Sequence, residues 1–456
     1  MTGKPTGPQA ALAGPVTTGR FIEPASTVPI DLVANGYVRE EFFVAGTASA
    51  YSASGPLGAD GKWSVSPHDT ADYRTRIVVR RPSDPARFNG TVLVEWFNVS
   101  GGLEASPDWT YLGPEIVRSG YGYVGVSAQE FGVGGGRALL GVPGLEQRSG
   151  LVASGPERYG SLRHPGDRFA FDMLSQIGRA LRAPGSPPAL GTLRPERIVA
   201  MGESQSAFFL TTYIDAVQPT AQVYDGFFVH SRGASGASLT GTPIASEDVP
   251  RGLKIRSDTD VPVMIFETET DLGPMLDYGP ARQPDAERIR TWEVAGTAHA
   301  DAYVVGPFAS ALGCDFIVNE GPQHFVAQAA LVALNRWIAD GVPAPEAPRL
   351  ELSTTAPPEL ARDQLGNALG GVRTPAVDVP ISTLSGEAPL GASRLCSLFG
   401  STVRFDEPTL VALYRDRAGY LAAYRRSLDV TISAGFLLES DRAELLGLAE
   451  AVPFPS

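Results

Sequence analysis

The stretch RIVAMGESQSAFFLTTYIDAV, residues 197–217, decides how the rest of the chain is interpreted. An apolar run typical of a buried strand leads directly into Gly202 and Ser204, and a pattern typical of a helix follows at once. A serine between two small residues at a strand-to-helix corner is typical of a nucleophile elbow. The second flanking position holds Ser206 instead of the usual glycine, so the pentapeptide needs support from the rest of the chain.

Composition excludes several classes of partner. The chain has 456 residues, 43% of them hydrophobic, and a formal net charge of −13. It is long enough for one large domain or two, and its charge makes nucleic acid and anionic membranes poor partners. The N-terminal sequence lacks the apolar segment of a signal peptide, and no apolar run approaches the length of a membrane span. We expect a soluble protein, either cytoplasmic or exported with its signal removed.

Short apolar runs alternate with helical patterns from about residue 75 onward. Such alternation predicts an α/β fold with a doubly wound, mostly parallel sheet. The clearest helix covers 318–341, with Asn319 as its expected cap, Pro322 in its first turn and Gly341 at its end. The expected strands are TRIVVRRP, TVLVEWFN, YGYVGVSA, RIVAMG, YDGFFVH, VPVMIFET and RIRTWEVAG.

Changes in this rhythm predict the domain organisation. Residues 1–75 are expected to form an irregular, β-rich N-terminal segment packed on the core, and 76–345 the core itself. Two long stretches without periodicity, 132–160 and 231–260, are expected to be insertions that form a lid or a pocket wall. A Pro-rich linker and a helical extension are expected over 346–456.

The chemistry requires partners for Ser204, because a serine hydroxyl is inert without a base that is oriented by an acid. Glu269 and Asp271 follow the run VPVMIF, and His299 follows RTWEVAG. This gives the order serine, acid, histidine, each after a strand, and loops after neighbouring parallel strands can converge above one edge of a sheet. We expect Ser204 to be the nucleophile and His299 the base. Strand register favours Asp271 as the acid, with Glu269 as the alternative.

Donors for an oxyanion are expected from two places. The backbone N–H of Gln205 lies at the start of the helix after the serine. The loop after TVLVEWF begins with Asn98 and Val99 and continues into Ser-Gly-Gly, and it can supply a second donor, including the amide of Asn98. Glu203, inside the elbow, is expected at the edge of the pocket or in solvent.

Other chemistries have less support. His230 precedes the candidate acids, and His324 lies within the predicted helix, so neither fits the order of the constellation. No metal-ligand or phosphate-loop motif is present, so we expect no metal and no organic cofactor. Cys314 and Cys396 form either one disulfide or two separate buried thiols.

Several segments together resemble the α/β-hydrolase-domain family of bacterial proteins. These segments are FNGTVLVEWFNVSGG, YVGVSAQEFGV, HPGDRFAFDMLSQ, MGESQSAFFL, YDGFFVHSRG, ETETDL, EVAGTAHAD and LFGSTVRFD. The resemblance implies the α/β-hydrolase fold and a GxSxS elbow with its serine at Ser204. It also implies a histidine at His299 and an acid at Glu269 or Asp271.

The sequence therefore predicts a serine hydrolase that cleaves a small-molecule carboxylic ester or lactone through an acyl-enzyme intermediate. Two alternatives remain open at this stage. The same triad can transfer an acyl group to an acceptor other than water, or the chain can be an inactive hydrolase-fold binding protein. The sequence gives no information on oligomeric state or on acyl and alcohol specificity.

Overall fold

The computed structural model describes residues 7–140, 147–183, 188–244, 246–354 and 358–454. Parts of the predicted segments lie outside the described residues: 1–6 of the N-terminal segment, 141–146 and 245 of the insertions, and 355–357 and 455–456 of the extension. The chain divides by its internal contacts into unit 1, Met1–Val263 with Asp277–Ile289, and unit 2, Met264–Leu276 with Arg290–Ser456.

The strands of unit 1 are β1 (Ala11–Ala13), β2 (Tyr37–Ala53), β3 (Val65–Pro82), β4 (Thr91–Trp96), β5 (Gly122–Val126), β6 (Gly135–Arg137), β7 (Gln147–Ser149), β8 (Arg197–Glu203) and β9 (Gly226–His230). β6 pairs with β7, and the others lie in the order β1–β2–β3–β5–β4–β8–β9. β4 runs parallel to β5 and β8, and β8 runs parallel to β9. The predicted α/β fold with a parallel sheet is confirmed.

Burial explains why these runs form strands. Every residue of β4 (TVLVEW) and of β5 (GYVGV) is buried, as expected for parallel strands that are covered on both faces. By contrast, β2 and β3 form a long antiparallel ribbon of 17 and 18 residues in which buried and exposed positions mix. The ribbon extends the sheet beyond its parallel part.

The helices of unit 1 are α1 (Pro107–Arg118), α2 (Glu130–Gly134), α3 (Leu151–Ser154), α4 (Pro156–Tyr159), α5 (Ala170–Arg182), α6 (Gln205–Thr212) and α7 (Gln218–Ala221), with a π-helical turn at Tyr213–Val217 between the last two. The apolar residues of α5 recur at helical spacing and are buried, including Met173, Ile177 and Leu181. All of α6 is buried, so the segment after Ser204 lies inside the unit.

Unit 2 contains the strands β10 (Val263–Thr268) and β11 (Ile289–Val294), apart from the first residue of each, and β12 (Ser382–Ser385) and β13 (Ser401–Arg404). Its helices are α8 (Glu269–Leu272), α9 (Ala302–Val305), α10 (Gln323–Asp340), α11 (Pro375–Asp378), α12 (Glu407–Tyr414), α13 (Arg417–Ser433) and α14 (Arg442–Ala451). β10 and β11 are neighbouring strands, and β12 pairs antiparallel with β13. Residues of the C-terminal extension, including Leu350 and Leu384, pack against Ala295 just after β11.

Helix α10 begins later than the sequence predicts. Asn319 is not its cap, because the Asn319 amide donates to the carbonyl oxygens of Gly296 at 3.2 Å and of Ser385 at 3.0 Å. The helix therefore starts only at Gln323. Its end at Gly341, which has the left-handed φ of 70°, agrees with the prediction.

Cys314 and Cys396 form a disulfide within unit 2, with their Cα atoms 5.7 Å apart. Of the two arrangements that the sequence leaves open, the structure has the bridged one. The disulfide joins the segment after α9 to the C-terminal extension. Within the described part of the chain, no helix combines the length and apolarity needed to cross a bilayer.

Candidate active site

Ser204 occupies the corner between β8 and α6 in a strained backbone conformation. Its φ is 56° and its ψ is −121°, a combination that costs a non-glycine residue about 1–3 kcal/mol. The Ser204 N–H donates to the carbonyl oxygen of His230 at 2.9 Å, which ties the corner to the end of β9. A serine held in this way between a parallel strand and a helix has the conformation of a nucleophile elbow.

The residues on either side of the corner must be small. A Cβ atom at Gly202 would lie 2.9 Å from the Cβ of Ser206 and 3.2 Å from its backbone carbonyl carbon. Ser206 is fully buried in the first turn of α6. A serine is accommodated at 206 because Gly202 has no side chain to meet it, which explains the departure from the usual second glycine.

The loop after β4 is braced against the elbow by Asn98. Its amide nitrogen donates to the backbone oxygen of Glu203 at 3.1 Å and to the Glu203 carboxylate at 3.2 Å. Its amide oxygen accepts from the N–H of Ser100 at 2.8 Å and from the Ser100 hydroxyl at 2.7 Å. Both ends of the Asn98 side chain are therefore engaged within the protein, and Glu203 is a buried partner of this loop.

The N–H of Val99 points toward the start of α6, where it donates to Oε1 of Gln205 at 3.3 Å. The hydrogen bond is long, and its acceptor is a side chain with rotatable bonds. Val99 and Gln205 thus face each other across the site where the sequence places the two oxyanion donors. The backbone N–H of Gln205 begins α6 directly after the serine.

In unit 2, Asp271 and His299 form a buried pair. Oδ1 of Asp271 lies 2.7 Å from Nδ1 of His299, and neither side chain is more than 4% exposed. Oδ2 of Asp271 accepts from the N–H of Thr268 at 2.6 Å and from the Thr268 hydroxyl at 2.8 Å. The first contact is one half of a capping box at the start of α8, and in the other half the Thr268 hydroxyl accepts the backbone N–H of Asp271. These contacts fix the carboxylate in one orientation.

The electrostatics of the pair favour an ionised carboxylate. Burial by itself raises the pKa of Asp271, but the hydrogen bond and charge of His299 and the two Thr268 donors together lower this pKa below its usual value. The carboxylate therefore accepts the Nδ1–H of His299, and this hydrogen bond selects the tautomer and the orientation of the ring.

Glu269, the alternative acid, has other partners. One of its carboxylate oxygens accepts from the N–H of Gly296 at 2.6 Å, and the other accepts from the N–H of Gly386 at 3.0 Å and from Arg362 at 3.3 Å. Burial raises the pKa of Glu269, and Arg362 opposes that shift. Of the two candidate acids, the structure brings Asp271 to His299, and Glu269 instead links the loop after β11 to the C-terminal extension.

A second buried histidine–carboxylate pair, which the sequence reading missed, lies in unit 1. Nδ1 of His230 lies 2.8 Å from Oδ1 of Asp108, and both side chains are fully buried. Glu95 accepts the N–H groups of Asp108 and Trp109 at the start of α1, each at 3.0 Å. No motif marks Asp108, which lies within the apolar helix PDWTYL, so no signal in the sequence could have paired it with His230.

Beside Val99 and Gln205 lies a cavity of about 470 Å³ within unit 1. Residues of both predicted insertions line it, Leu139 from the first and Pro243 from the second. The N–H of Leu140 donates to the carbonyl oxygen of Ser100 at 2.9 Å, which joins the first insertion to the loop after β4. Among the described residues, no group of three or more His, Cys, Asp or Glu side chains could hold a metal ion.

The fold agrees with a comparison of the sequence with family models. The model of the alpha/beta hydrolase domain matches residues 12–447, almost the whole chain. The chain therefore belongs to the α/β-hydrolase family, and the resemblance seen in its motifs is confirmed. No curated protein matches it.

Solved structures similar to this chain include three bacterial hydrolases. An α/β serine hydrolase without a lid from Xanthomonas campestris is 11% identical, with a TM-score of 0.30 over 59% of this chain and 91% of that one. A glucuronoyl esterase from Solibacter usitatus is 11% identical, with a TM-score of 0.32 over 63% and 81%. The carboxylesterase Cest-2923 from Lactobacillus plantarum is 11% identical, with a TM-score of 0.27 over 51% and 77%.

Proposed function

We propose that this protein hydrolyses a carboxylic ester or lactone by serine catalysis, with Ser204, His299 and Asp271 as its catalytic triad. The observation that carries the proposal is the backbone of Ser204, whose positive φ at a strand-to-helix corner costs free energy. Backbone strain of this kind is concentrated at active sites and ligand-binding sites. The buried Asp271–His299 pair supports the proposal, because it is the acid–base half of a serine triad.

In the acylation step, Oγ of Ser204 attacks the carbonyl carbon while Nε2 of His299 takes the hydroxyl proton. The bond from Oγ to carbon forms, and the carbonyl electrons move onto oxygen. When the tetrahedral intermediate collapses, the bond to the leaving alcohol breaks and His299 gives that oxygen its proton. Asp271 stays ionised and holds the imidazolium through Nδ1.

In the deacylation step, water replaces the alcohol. His299 takes a proton from the water while the water oxygen attacks the acyl carbon. When the bond from Oγ to carbon breaks, His299 returns the proton to Oγ of Ser204 and the carboxylic acid leaves. The oxyanion of both intermediates is expected to accept the backbone N–H groups of Gln205 and Val99. For this, the oxyanion displaces Oε1 of Gln205 from Val99, where the 3.3 Å hydrogen bond is weak.

The test compares two serines that lie two positions apart. Ser204→Ala should reduce turnover of p-nitrophenyl esters to a small residual rate and abolish labelling by a fluorophosphonate probe, with a Tm within a few degrees of the parent. Ser206→Ala, at a buried position in the same turn, should still be labelled. Labelling of Ser204→Ala, or ester turnover close to that of the parent, would show that another residue is the nucleophile.

A further inference from the structure

The cavity beside the loop after β4 that contains Asn98 and Val99 (the oxyanion loop) has the size of a site for a small molecule. Its volume of about 470 Å³ falls within the range of ligand pockets, roughly 300–1,000 Å³. Val99 and Gln205 line one side, so the cavity adjoins the expected position of the reacting carbonyl group. Phe131, Leu139 and Pro243 supply apolar lining. A bound acyl or alcohol group would therefore contact this lining.

Two charged side chains, Arg137 and Asp167, line the cavity, and their surroundings differ. The Asp167 carboxylate accepts the N–H of Glu130 at 2.6 Å and the amide of Gln129 at 3.2 Å, so both of its oxygens are engaged. Burial raises the pKa of Asp167 to about 6, although these two donors oppose the shift. Arg137 is exposed and forms no ion pair with any residue that the structure describes. Of the two side chains, Arg137 therefore has the N–H donors that an anionic group of a ligand needs.

The backbone holds Arg137 in place relative to the oxyanion loop. Arg137 ends β6 and lies opposite Gln147 of β7 in an antiparallel ribbon. Three residues later, the N–H of Leu140 donates to the carbonyl oxygen of Ser100. The guanidinium group is thus carried by a strand whose continuation is tied to the loop that contains Val99.

We propose that the cavity selects esters or lactones that carry a free carboxylate, and that Arg137 recognises this carboxylate. The inference rests on the proposed esterase function and names its substrate class. A guanidinium group binds a carboxylate through two parallel N–H donors, and the apolar lining accommodates the short chain between the carboxylate and the ester. Arg137 acts in specificity and takes no part in bond making.

The test measures kcat/KM for two matched pairs of substrates. The first pair is the p-nitrophenyl monoester of glutarate and p-nitrophenyl pentanoate, with the charge on the acyl side. The second is 4-acetoxybenzoate and phenyl acetate, with the charge on the alcohol side. Arg137→Gln should lower kcat/KM about tenfold for the charged member of at least one pair and leave the neutral members within about twofold.

Two control variants separate charge from fold. Arg137→Lys keeps the charge but loses the two parallel donors, so it should retain only part of the preference for the anionic ester. Arg194→Gln removes another exposed arginine, which lines a different cavity. This variant should leave kcat/KM unchanged for the charged and the neutral esters. A loss of equal size for charged and neutral esters in Arg137→Gln would overturn the proposal, as would unchanged hydrolysis of both charged esters.

A binding measurement separates failure of this inference from failure of the proposed function. Glutarate titrated into the protein in a calorimeter should bind the parent at least about tenfold more tightly than Arg137→Gln. Neutral esters could be hydrolysed while Arg137→Gln changes neither kcat/KM for the charged esters nor the affinity for glutarate. In that case the esterase proposal stands and the inference on substrate class is wrong. If no ester is hydrolysed, glutarate binding alone decides the question, and equal binding to both proteins refutes the inference.

Discussion

Asp271 and Glu269 lie two positions apart, yet their carboxylates bind different partners. The sequence places both acids after the same strand and favours Asp271 only by register. A local signal was nevertheless present, because Thr268 and Asp271 have the spacing of a capping box, which turns the acid at its third position back toward the chain. The partners of Glu269, by contrast, come from residues 296, 362 and 386, and no local pattern predicts those contacts.

Substituting each acid by its amide should separate their functions. Asp271→Asn should lower kcat by up to about 10⁴-fold with little change in Tm, because the wrong tautomer of His299 is then favoured. Glu269→Gln should lower the Tm more than kcat, because its new amide N–H groups face backbone donors and leave about 1–3 kcal/mol of hydrogen bonding unsatisfied. Steady-state kinetics and thermal unfolding check both. A larger kcat loss in Glu269→Gln would reverse the assignment.

His164 should make the stability of the protein depend on pH. Its Nε2 contacts the carbonyl oxygen of Ala128 at 3.0 Å, and its Nδ1 accepts the N–H of Gly166 at 3.2 Å, so the ring is held neutral. Burial lowers the pKa of His164 to about 4, and the Ala128 contact opposes this shift. Below pH 6.5 the unfolded chain binds a proton that the folded chain does not, so stability falls as the pH falls toward 4.

A variant without a titrating ring isolates this effect. Between pH 7 and pH 5, the free energy of unfolding of His164→Gln should fall by about 2 kcal/mol less than that of the parent, at about 1.4 kcal/mol per pH unit below 6.5. Urea unfolding at the two pH values measures the difference. Equal losses in both proteins would mean that His164 is protonated in the folded state.

The sequence pattern predicts those strands and helix ends that depend on interactions between residues close together in the chain. The runs that become β4, β5, β8 and β9 are found correctly, because strands covered on both faces need continuous apolar sequence. The start of α10 is placed wrongly, because Asn319 hydrogen bonds with distant residues instead of capping the helix. The length of the β2–β3 ribbon also exceeds the short extended stretches that the sequence indicates, since its pairing is non-local.

The disulfide joins two segments that are 82 residues apart, so it should constrain the unfolded chain strongly. Replacing Cys314 and Cys396 by serine is expected to lower the free energy of unfolding by about 4 kcal/mol. Thiol titration of the unfolded, unreduced parent should detect no free thiol. Two thiols per chain, or equal stability of the parent and the double variant, would contradict the bridge.

For the whole molecule, the sequence predicts the reaction better than the substrate. The order of Ser204, Asp271 and His299 along the chain follows from the fold, and each follows an apolar strand that can be recognised by itself. The cavity depends on insertions without periodicity, so Arg137 and Asp167 could not be connected to Val99 or Gln205 from the sequence. Asn98 was likewise expected to donate to the oxyanion, but its amide donates to Glu203. That contact depends on how close two loops lie, which the sequence does not show.

Ser204 and His299 are expected to act as one catalytic unit, and a double-mutant cycle on kcat measures whether they do. When two side chains act in the same step, removing either one removes the contribution of both. The free-energy effects of the two single substitutions on kcat therefore do not add in the double variant. We expect Ser204→Ala, His299→Ala and the double variant to hydrolyse p-nitrophenyl esters at about the same residual rate. A double variant slower by the product of the two single losses, or a His299→Ala variant with parental kcat, would contradict it.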